Sequence, residues 1–264
     1  MQSYGKVSII TPSYNCGRFL EETIKSVIGQ TYSDWELLFQ DDCSTDNTRS
    51  LVEYISDKDS RIKYVCNPKN SGAAITRNNA LKRATGRWIA FLDSDDLWKP
   101  DKLEKQLKFM VENGYHFSYH EYVEIDEDSK EIGVYVSGIR KVGKYGMYSC
   151  CWPGCLSVMY DAEVVGLIQI VDVRKNNDTA MWLKVVEKAK CHLLKENLGF
   201  YRRRKGSITP PSIKDRIKWH YILFRSIGKG CISSIFWMCM NIFGNLIKKL
   251  FFIKKYNAAC NNIK

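Results

Sequence analysis

The amino-acid sequence predicts an α/β protein with one open, mostly parallel sheet flanked by helices. Short β-branched or aromatic runs alternate with longer helical patterns from residue 6 onward. Three alternations in succession give β-α-β crossovers, which join parallel strands with a right-handed turn. Apolar and basic residues are concentrated after residue 213, and they predict an amphipathic helical segment at the C-terminus.

Hydrophobic periodicity defines the elements of the first half. Strands are predicted at residues 7–11, 35–40, 62–66 and 88–92, and helices at 18–30, from the turn 41–48 to about 55, and at 73–84. Ligands of an open parallel sheet bind outside the carboxyl ends of its strands. The residues expected to meet there are Tyr14, Asp41, Asp42 and the run 93–96.

The second half is less regular. Helices are predicted at residues 101–113 and 178–190 and a strand at 115–125, whereas the stretch 126–160 has no clear period. A short apolar run at 198–201 leads into the basic residues 202–205. His116 and His120 fall in a strand pattern that holds them more than about 10 Å apart, so we expect structural roles. The chain divides into a body, 1–212, with halves 1–113 and 114–212, and a C-terminal segment, 213–264.

Charge is distributed unevenly. The formal net charge is +11, but residues 202–264 carry +13 and residues 1–201 carry −2. A basic terminal part favours an anionic partner, either a membrane surface or a nucleic acid. Residues 231–253 are mostly apolar but are interrupted, and a bilayer span needs about 20 apolar residues. An interfacial helix on anionic lipid fits better than a soluble packing helix or a span.

Cysteine usage indicates the compartment. Ten cysteines are present, but the chain starts without the charged and apolar regions of a secretory signal. We therefore expect a cytoplasmic protein with free thiols. The cluster Cys150, Cys151 and Cys155 lacks the second group that a zinc site needs, so buried packing is its expected role.

The sharpest local signal is Asp93-Ser94-Asp95, which leaves a predicted apolar strand. Two carboxylates one residue apart can hold a divalent cation while leaving positions open for phosphate oxygens; an ordinary acidic turn is the alternative. Asp42 ends another strand, where an acid can accept hydrogen bonds from a base or ribose. Arg77 begins a helix after Gly72 and could reach a phosphate, unless it is merely solvated.

Five motifs in order resemble the inverting glycosyltransferase family 2, whose nucleotide-sugar-binding GT-A fold is Rossmann-like. The resemblance covers about residues 5–210. The matching segments are Val7–Asn15, Ser26–Thr31, Asp41–Asp46, Gly72–Asn78 and Phe91–Asp96 with Lys99-Pro100.

The resemblance implies roles for the donor residues. Pro12 and Tyr14 would line the base, Asp42 would bind uracil, and Arg77 would approach the base or diphosphate. Asp93 and Ser94 would bind the nucleotide sugar, with Asp93 on the ribose, and Asp95 would hold Mn²⁺ or Mg²⁺. Cys43 stands where the family commonly has Gly, which affects the geometry of the turn.

The resemblance also implies a base and two pockets. Asp178 corresponds to the second acid of a family pair that opens a late helix, and Asn177 replaces the first. The run 201–208 resembles a segment that closes over the donor, so Arg204 or Lys205 is expected to touch the diphosphate. The family shapes its sugar and acceptor pocket at Trp152-Pro153-Gly154.

The implied function is inverting sugar transfer from a UDP-sugar to an acceptor hydroxyl. The expected acceptor is a saccharide, or lipid-linked saccharide, of bacterial surface-polysaccharide assembly. The expected location is peripheral, on an anionic membrane surface at the cytoplasmic side, with no nucleic-acid partner. A sugar nucleotidyltransferase, which would release pyrophosphate rather than UDP, and a basic nucleic-acid-binding protein are the alternatives.

Overall fold

A computed structural model describes residues 3–170, 173–204 and 212–258. It confirms the α/β class. In the first half, strands alternate with helices much as the periodicity predicts. The elements are β1 (Val7–Ser13), α1 (Gly17–Ile28), β2 (Trp35–Asp41), α2 (Thr48–Ser56), β3 (Ile62–Cys66), α3 (Ala73–Leu81) and β4 (Trp88–Phe91).

The remaining elements complete one sheet and its helical cover. The second half contains β5 (Leu97–Trp98), α4 (Lys102–Asn113), β6 (Phe117–Ile125), β7 (Glu131–Val136), β8 (Lys141–Val142), α5 (Lys144–Ser149), β9 (Met159–Asp161), α6 (Ala162–Val165), α7 (Asn177–Val185) and β10 (Cys191–Arg202). The C-terminal segment contains α8 (Ile213–Ser226), α9 (Cys231–Phe251) and β11 (Ile253–Lys255).

The sheet is parallel in its first half and mixed beyond it. Its main path runs β11-β7-β6-β9-β4-β1-β2-β3, and β10 pairs with β5, β6 and β8. Strands β1 to β4 pair in parallel, whereas β9 meets β4 and β6 antiparallel. The sheet is thus less uniformly parallel than expected, because the short strand β9 inserts antiparallel between β4 and β6.

Side chains alternate between two apolar cores, one on each face of the sheet. Ile10 and Leu38 enter one core, whereas Ile9 and Leu37 enter the other. This alternation is the two-residue period of a strand covered on both faces. The first core also contains Trp182 of α7, so the helix that begins near Asp178 is fixed by packing against the sheet.

Helix α9 docks on the body with its polar side. Asn241 donates its side-chain amide to the Tyr148 carbonyl at 2.9 Å, and the Lys248 ammonium donates to the carbonyls of Cys151 and Trp152 at 3.0 and 2.8 Å. A Cβ on Gly244 would lie 2.0 Å from the Ser149 carbonyl oxygen, so only glycine permits this approach. β11 then pairs antiparallel with β7.

The opposite side of α9 is apolar and exposed. Ile232 is 86% exposed and Phe251 69% exposed. The helix is long and apolar enough to cross a membrane by length and composition alone. The exposed apolar side chains of this face, which we call the outer face of α9, are Ile232, Ile235, Phe236, Phe243, Leu246, Leu250 and Phe251.

Candidate active site

The carboxyl ends of β1, β2 and β4 meet along one edge of the sheet. Ser13 is paired in register with Asp41, and the Leu92 amide donates to the Ile10 carbonyl at 3.1 Å. A cavity of about 660 Å³ lies at this edge, and we call it the donor cavity. It is lined by the predicted residues Pro12, Tyr14, Asp42, Arg77, Asp93, Ser94, Asp95, Asp178 and Arg204.

Asp42 is buried at the base of the donor cavity. Its carboxylate accepts hydrogen bonds from the amides of Ser71 and Gly72, both at 2.7 Å, and from the Asn67 side chain at 2.8 Å. These contacts fix the turn before α3. A carboxylate has about four acceptor positions, so Asp42 retains capacity for one further donor.

The acidic turn after β2 contains a strained residue. Cys43 has φ +63°, the left-handed region that disfavours side chains with a Cβ. This conformation explains why glycine suits the position. The turn also supports α1, because Asp46 accepts from the Gly17 amide at 3.0 Å.

Arg77 is buried rather than solvated. Its guanidinium donates to Asp93 at 2.8 Å and to the Asn177 side-chain oxygen, with the Cys155 thiol 3.7 Å away. Burial opposes its charge, yet Cys155, Asp93 and Asp178 together raise the pKa of Arg77 above its usual range. Arg77 therefore ties the end of β4 to the start of α7, a position different from that of a free phosphate ligand.

Asp93, Asp95 and Asp96 lie close together, and two of them have an arginine partner. Arg77 pairs with Asp93 and Arg204 with Asp95, each at 2.8 Å. Burial raises the pKa of Asp95, and the Arg204 guanidinium does not cancel this effect because Asp93 also repels the charge. Burial, with Asp95 and Asp93, raises the pKa of Asp96 well above its usual range. One Asp96 oxygen has no hydrogen-bond partner among the described residues.

The chemistry of these side chains fits a divalent cation. Asp93 and Asp95 line the cavity, and carboxylate oxygens suit Mn²⁺ or Mg²⁺. A cation would also stabilise the ionised form of Asp95, whose pKa is raised. Within the described part of the chain, no group of three or more His, Cys, Asp or Glu could hold a metal ion. The residues thus fit a cation that takes further ligands from a diphosphate.

Two arginines of the basic run that starts at the end of β10 pair with acids of the body. Arg202 is buried and donates to the Asp95 carbonyl at 2.7 Å and to Glu22 at 2.8 Å. Arg203 pairs with Glu124 at 2.6 Å. Each of these two arginines already has an acidic partner, although Arg202 also lines the donor cavity. Lys205 lies outside the described residues.

Asp178 lies in the first turn of α7, on the wall of the donor cavity. One of its oxygens accepts from the Thr179 amide at 2.7 Å. Its second oxygen accepts no hydrogen bond from the residues described. Asn176 precedes the helix in the left-handed conformation, with φ +58°, which turns the chain sharply into α7.

The predicted acceptor residues do not line the donor cavity. Trp152 is buried, and its ring packs edge-to-face against Phe252 at 5.0 Å. Pro153 is buried beside it. A Cβ on Gly154 would lie 2.8 Å from the Tyr122 ring, so this glycine allows close packing. The segment forms a wall behind the donor cavity, because its side chains complete the apolar core.

Two cations of the donor cavity were missed from the sequence. Arg174 and Lys175 line it directly before α7. Their signal was weak, since two basic residues ahead of an acid also describe an ordinary helix start. Position on the cavity wall distinguishes them from solvated surface charges.

Comparison with known proteins assigns the family. The sequence model of Glycosyl transferase family 2 matches residues 8–159, which include β1 and both acidic clusters. This chain belongs to glycosyltransferase family 2.

Two curated relatives match most of the glycosyltransferase. TuaG of Bacillus subtilis, named as a teichuronic acid biosynthesis glycosyltransferase, is 38% identical over 92% of this chain and 96% of its own length. The Escherichia coli protein WfgD is 40% identical over 79% of this chain and 81% of its own. Its name describes a UDP-Glc:α-D-GlcNAc-diphosphoundecaprenol β-1,3-glucosyltransferase.

Solved structures share the fold of the glycosyltransferase. S. aureus TarS 1–349 in complex with UDP-GlcNAc has a TM-score of 0.70 and 20% identity, over 92% of this chain and 73% of that one. A Pyrobaculum calidifontis mannosyltransferase with GDP-Man and Mn²⁺ has a TM-score of 0.62 and 16% identity, over 97% and 78%. These comparisons support the glycosyltransferase class and give no support to the nucleotidyltransferase or nucleic-acid-binding alternatives.

Proposed function

We propose that this glycosyltransferase moves a sugar from a UDP-sugar to a hydroxyl of a lipid-linked saccharide in bacterial surface-polysaccharide assembly, with inversion at the anomeric carbon. One observation carries the proposal: Asp42, Asp93, Asp95 and Asp178 line a single cavity in a family 2 chain. The names of its relatives support the donor and acceptor classes, because they specify teichuronic acid and a diphosphoundecaprenol-linked sugar.

Side chains at the strand ends bind the donor. Tyr14, which is 47% exposed, offers its ring to the base, and Pro12 lies beside it on the cavity wall. Asp42 accepts a hydrogen bond from the base with its remaining capacity. Asp93 is fixed by Arg77 and presents its carboxylate to the ribose. Arg77 thus positions the donor site, and Arg174, Lys175 and Arg204 supply cations for the diphosphate.

Asp178 acts as the general base. Its oxygen without a hydrogen bond removes the proton from the acceptor hydroxyl while that hydroxyl oxygen attacks the anomeric carbon. The carbon–oxygen bond to the diphosphate breaks in the same step, and the electron pair leaves with UDP. The Thr179 amide holds the carboxylate in place. A positioned base of this kind contributes about 10²- to 10⁴-fold to the rate.

Asp95 would hold the divalent cation. When bound there, Mn²⁺ or Mg²⁺ would supply a Lewis acid that neutralises charge on the leaving diphosphate. Arg204, which pairs with Asp95, lies beside this site and would offer its guanidinium to the diphosphate.

The outer face of α9 places the enzyme on the cytoplasmic surface of an anionic membrane. Its apolar side chains suit the boundary between headgroups and acyl chains. Lys249 lies in the last turn of α9 and complements anionic headgroups. This attachment brings the enzyme to a lipid-linked acceptor.

A screen for UDP release tests the function. The enzyme is incubated with a panel of UDP-sugars and a GlcNAc-diphosphate-lipid acceptor, with Mn²⁺ or with chelator. We expect acceptor-dependent UDP release from one donor, loss of release with chelator, and a β-linked product from an α-linked donor. Pyrophosphate release, or a product that retains the donor's anomeric configuration, contradicts the proposal.

A further inference from the structure

A second cavity lies between β7, β10 and the end of α9. It measures about 800 Å³, and we call it the lateral cavity. Its walls include Ile139, Leu193, Phe251 and Phe252. None of the residues assigned to the donor lines it. The lateral cavity is therefore separate from the donor cavity and has a mainly apolar wall.

Four cationic side chains surround the lateral cavity: Arg140, Lys195, Lys254 and Lys255. None of them forms an ion pair with an acid among residues 3–170, 173–204 and 212–258. The acid in the wall, Glu121, already accepts from the Tyr135 hydroxyl at 2.5 Å and from the Ser137 hydroxyl. An apolar cavity with uncompensated cations suits a ligand that joins an apolar chain to an anionic group.

One segment, residues 150–155, links the two cavities. On the lateral side, Phe252 packs against Trp152 with ring centroids 5.0 Å apart. On the donor side, the Cys155 thiol lies 3.7 Å from Asp93. Burial raises the pKa of the Cys151 thiol to about 12, and the nearby carboxylate of Asp178 adds to the effect. The segment thus reaches from the lateral cavity to the proposed base.

Phe251 belongs both to the wall of the lateral cavity and to the outer face of α9. The lateral cavity therefore lies beside the surface that is proposed to meet the membrane.

We propose that the lateral cavity binds the prenyl-diphosphate end of the lipid-linked acceptor, with the diphosphate among the four cations and the first isoprene units on the apolar wall. The inference rests on the proposed function, because the sugar that follows the diphosphate is the one that accepts the transfer. It assigns acceptor binding to residues that the donor site does not use.

Binding of farnesyl diphosphate to the full chain tests the inference without turnover. Tryptophan fluorescence is a suitable signal, since Trp152 packs against the cavity wall. We expect farnesyl diphosphate to bind at least tenfold more tightly than inorganic diphosphate or farnesol, with an affinity that saturating UDP changes less than twofold. Competition by UDP would place the probe in the donor cavity and overturn the inference.

Charge-reversal variants locate the site. Lys195→Glu with Lys254→Glu should weaken farnesyl diphosphate binding at least tenfold, and the milder Lys195→Gln with Lys254→Gln should weaken it less. Lys82→Glu with Lys214→Glu is the matched control, because it makes the same charge change at exposed lysines outside the cavity. Equal weakening in both charge-reversal pairs would show a general charge effect and contradict the site.

Kinetics separate this inference from the proposed function. The acceptor sugar is supplied on farnesyl diphosphate or on a neutral alkyl chain. We expect Lys195→Glu with Lys254→Glu to raise KM only for the diphosphate-linked acceptor, by at least tenfold. Wild-type enzyme that uses neither acceptor contradicts the function itself. If Lys195→Glu with Lys254→Glu lost vesicle binding but kept its KM, the cations would be assigned to bulk phospholipid. That result would overturn this inference and leave the proposed function intact.

Discussion

Buried carboxylates in the first half of the chain are stabilised in two different ways. Glu36 accepts hydrogen bonds from Ser8 at 2.6 Å, Lys63 at 2.5 Å and Thr85 at 2.8 Å. Asp96 instead receives one backbone hydrogen bond, from Arg202, beside two other acids. The first arrangement supports folding, whereas the second disfavours the ionised form of Asp96 at the donor site, where a cation is proposed to bind.

Glu36 should make stability depend on pH. Burial alone would raise its pKa, but hydrogen bonds from Lys63, Ser8 and Thr85 outweigh burial and lower it to about 2 from 4.5. Because the folded-state pKa is lowered, this stabilisation is present above about pH 4.5 and is lost as the pH falls towards 2. One pKa unit corresponds to about 1.4 kcal/mol, so the effect is on the order of 3 kcal/mol.

Urea unfolding between pH 7 and pH 3 measures this contribution. Glu36→Gln should lower the free energy of unfolding at pH 7, and the difference from wild type should shrink as the pH falls. Glu53→Gln is the control, since Glu53 forms an exposed pair with Arg49 within α2 and should matter little at any pH. A pH-independent difference for Glu36→Gln would contradict the assigned ionisation.

Single residues of the donor site differ in how far the sequence predicts them. Asp42 and Asp93 follow apolar strands, so their place at the sheet edge follows from local pattern. The partners of Arg77 do not, because Asn177 lies 100 residues away and only tertiary packing brings the two together. The partner of Arg202 is also distant in the sequence, since Glu22 lies 180 residues away.

Among the elements, those of the first half match their periodicity closely, and β3 matches its predicted bounds. The stretch 126–160 had no prediction because β8 and β9 contain two and three residues, too few to show a period. Strand β10 extends well beyond the apolar run 198–201. Polar residues 195–197 interrupt its pattern where its pairing with β6 shifts register.

Helix α9 shows why amphipathicity does not reveal orientation. Its apolar pattern was clear from the sequence, but a core and a lipid bilayer both attract apolar side chains. The structure resolves the direction: Asn241 and Lys248 satisfy carbonyls of the body, and most apolar residues face outward, whereas Trp237 packs against Tyr148. The polar interruptions that argued against a span are the contacts that dock the helix.

The outer face of α9 should control membrane attachment. Phe243→Glu with Leu250→Glu adds two charges to this face and should lower binding to anionic vesicles at least tenfold, because the apolar contact with the bilayer is lost. Co-sedimentation with vesicles of defined anionic lipid content measures the effect. Val111→Glu, on the exposed side of α4, should bind like wild type. Unchanged binding of the double variant would remove α9 as the attachment site.

In the whole molecule, the sheet, the base and the C-terminal segment form one arrangement. The strand ends bring the donor residues together, α7 brings Asp178 to the same cavity, and Lys248 of α9 holds the carbonyls of segment 150–155. Part of the basic charge after residue 201 is structural, since Arg202 and Arg203 are paired within the body.

The central claim is that Asp178 is the base of an inverting sugar transfer in the donor cavity. Asp178→Asn keeps the size and shape of the side chain but removes its basicity. We therefore measure UDP affinity and acceptor-dependent turnover of this variant beside Asp128→Asn, which changes an exposed acid outside the cavity. We expect Asp178→Asn to bind UDP as wild type does but to lose at least about 10²-fold in turnover, and Asp128→Asn to keep both. Near-normal turnover would contradict it.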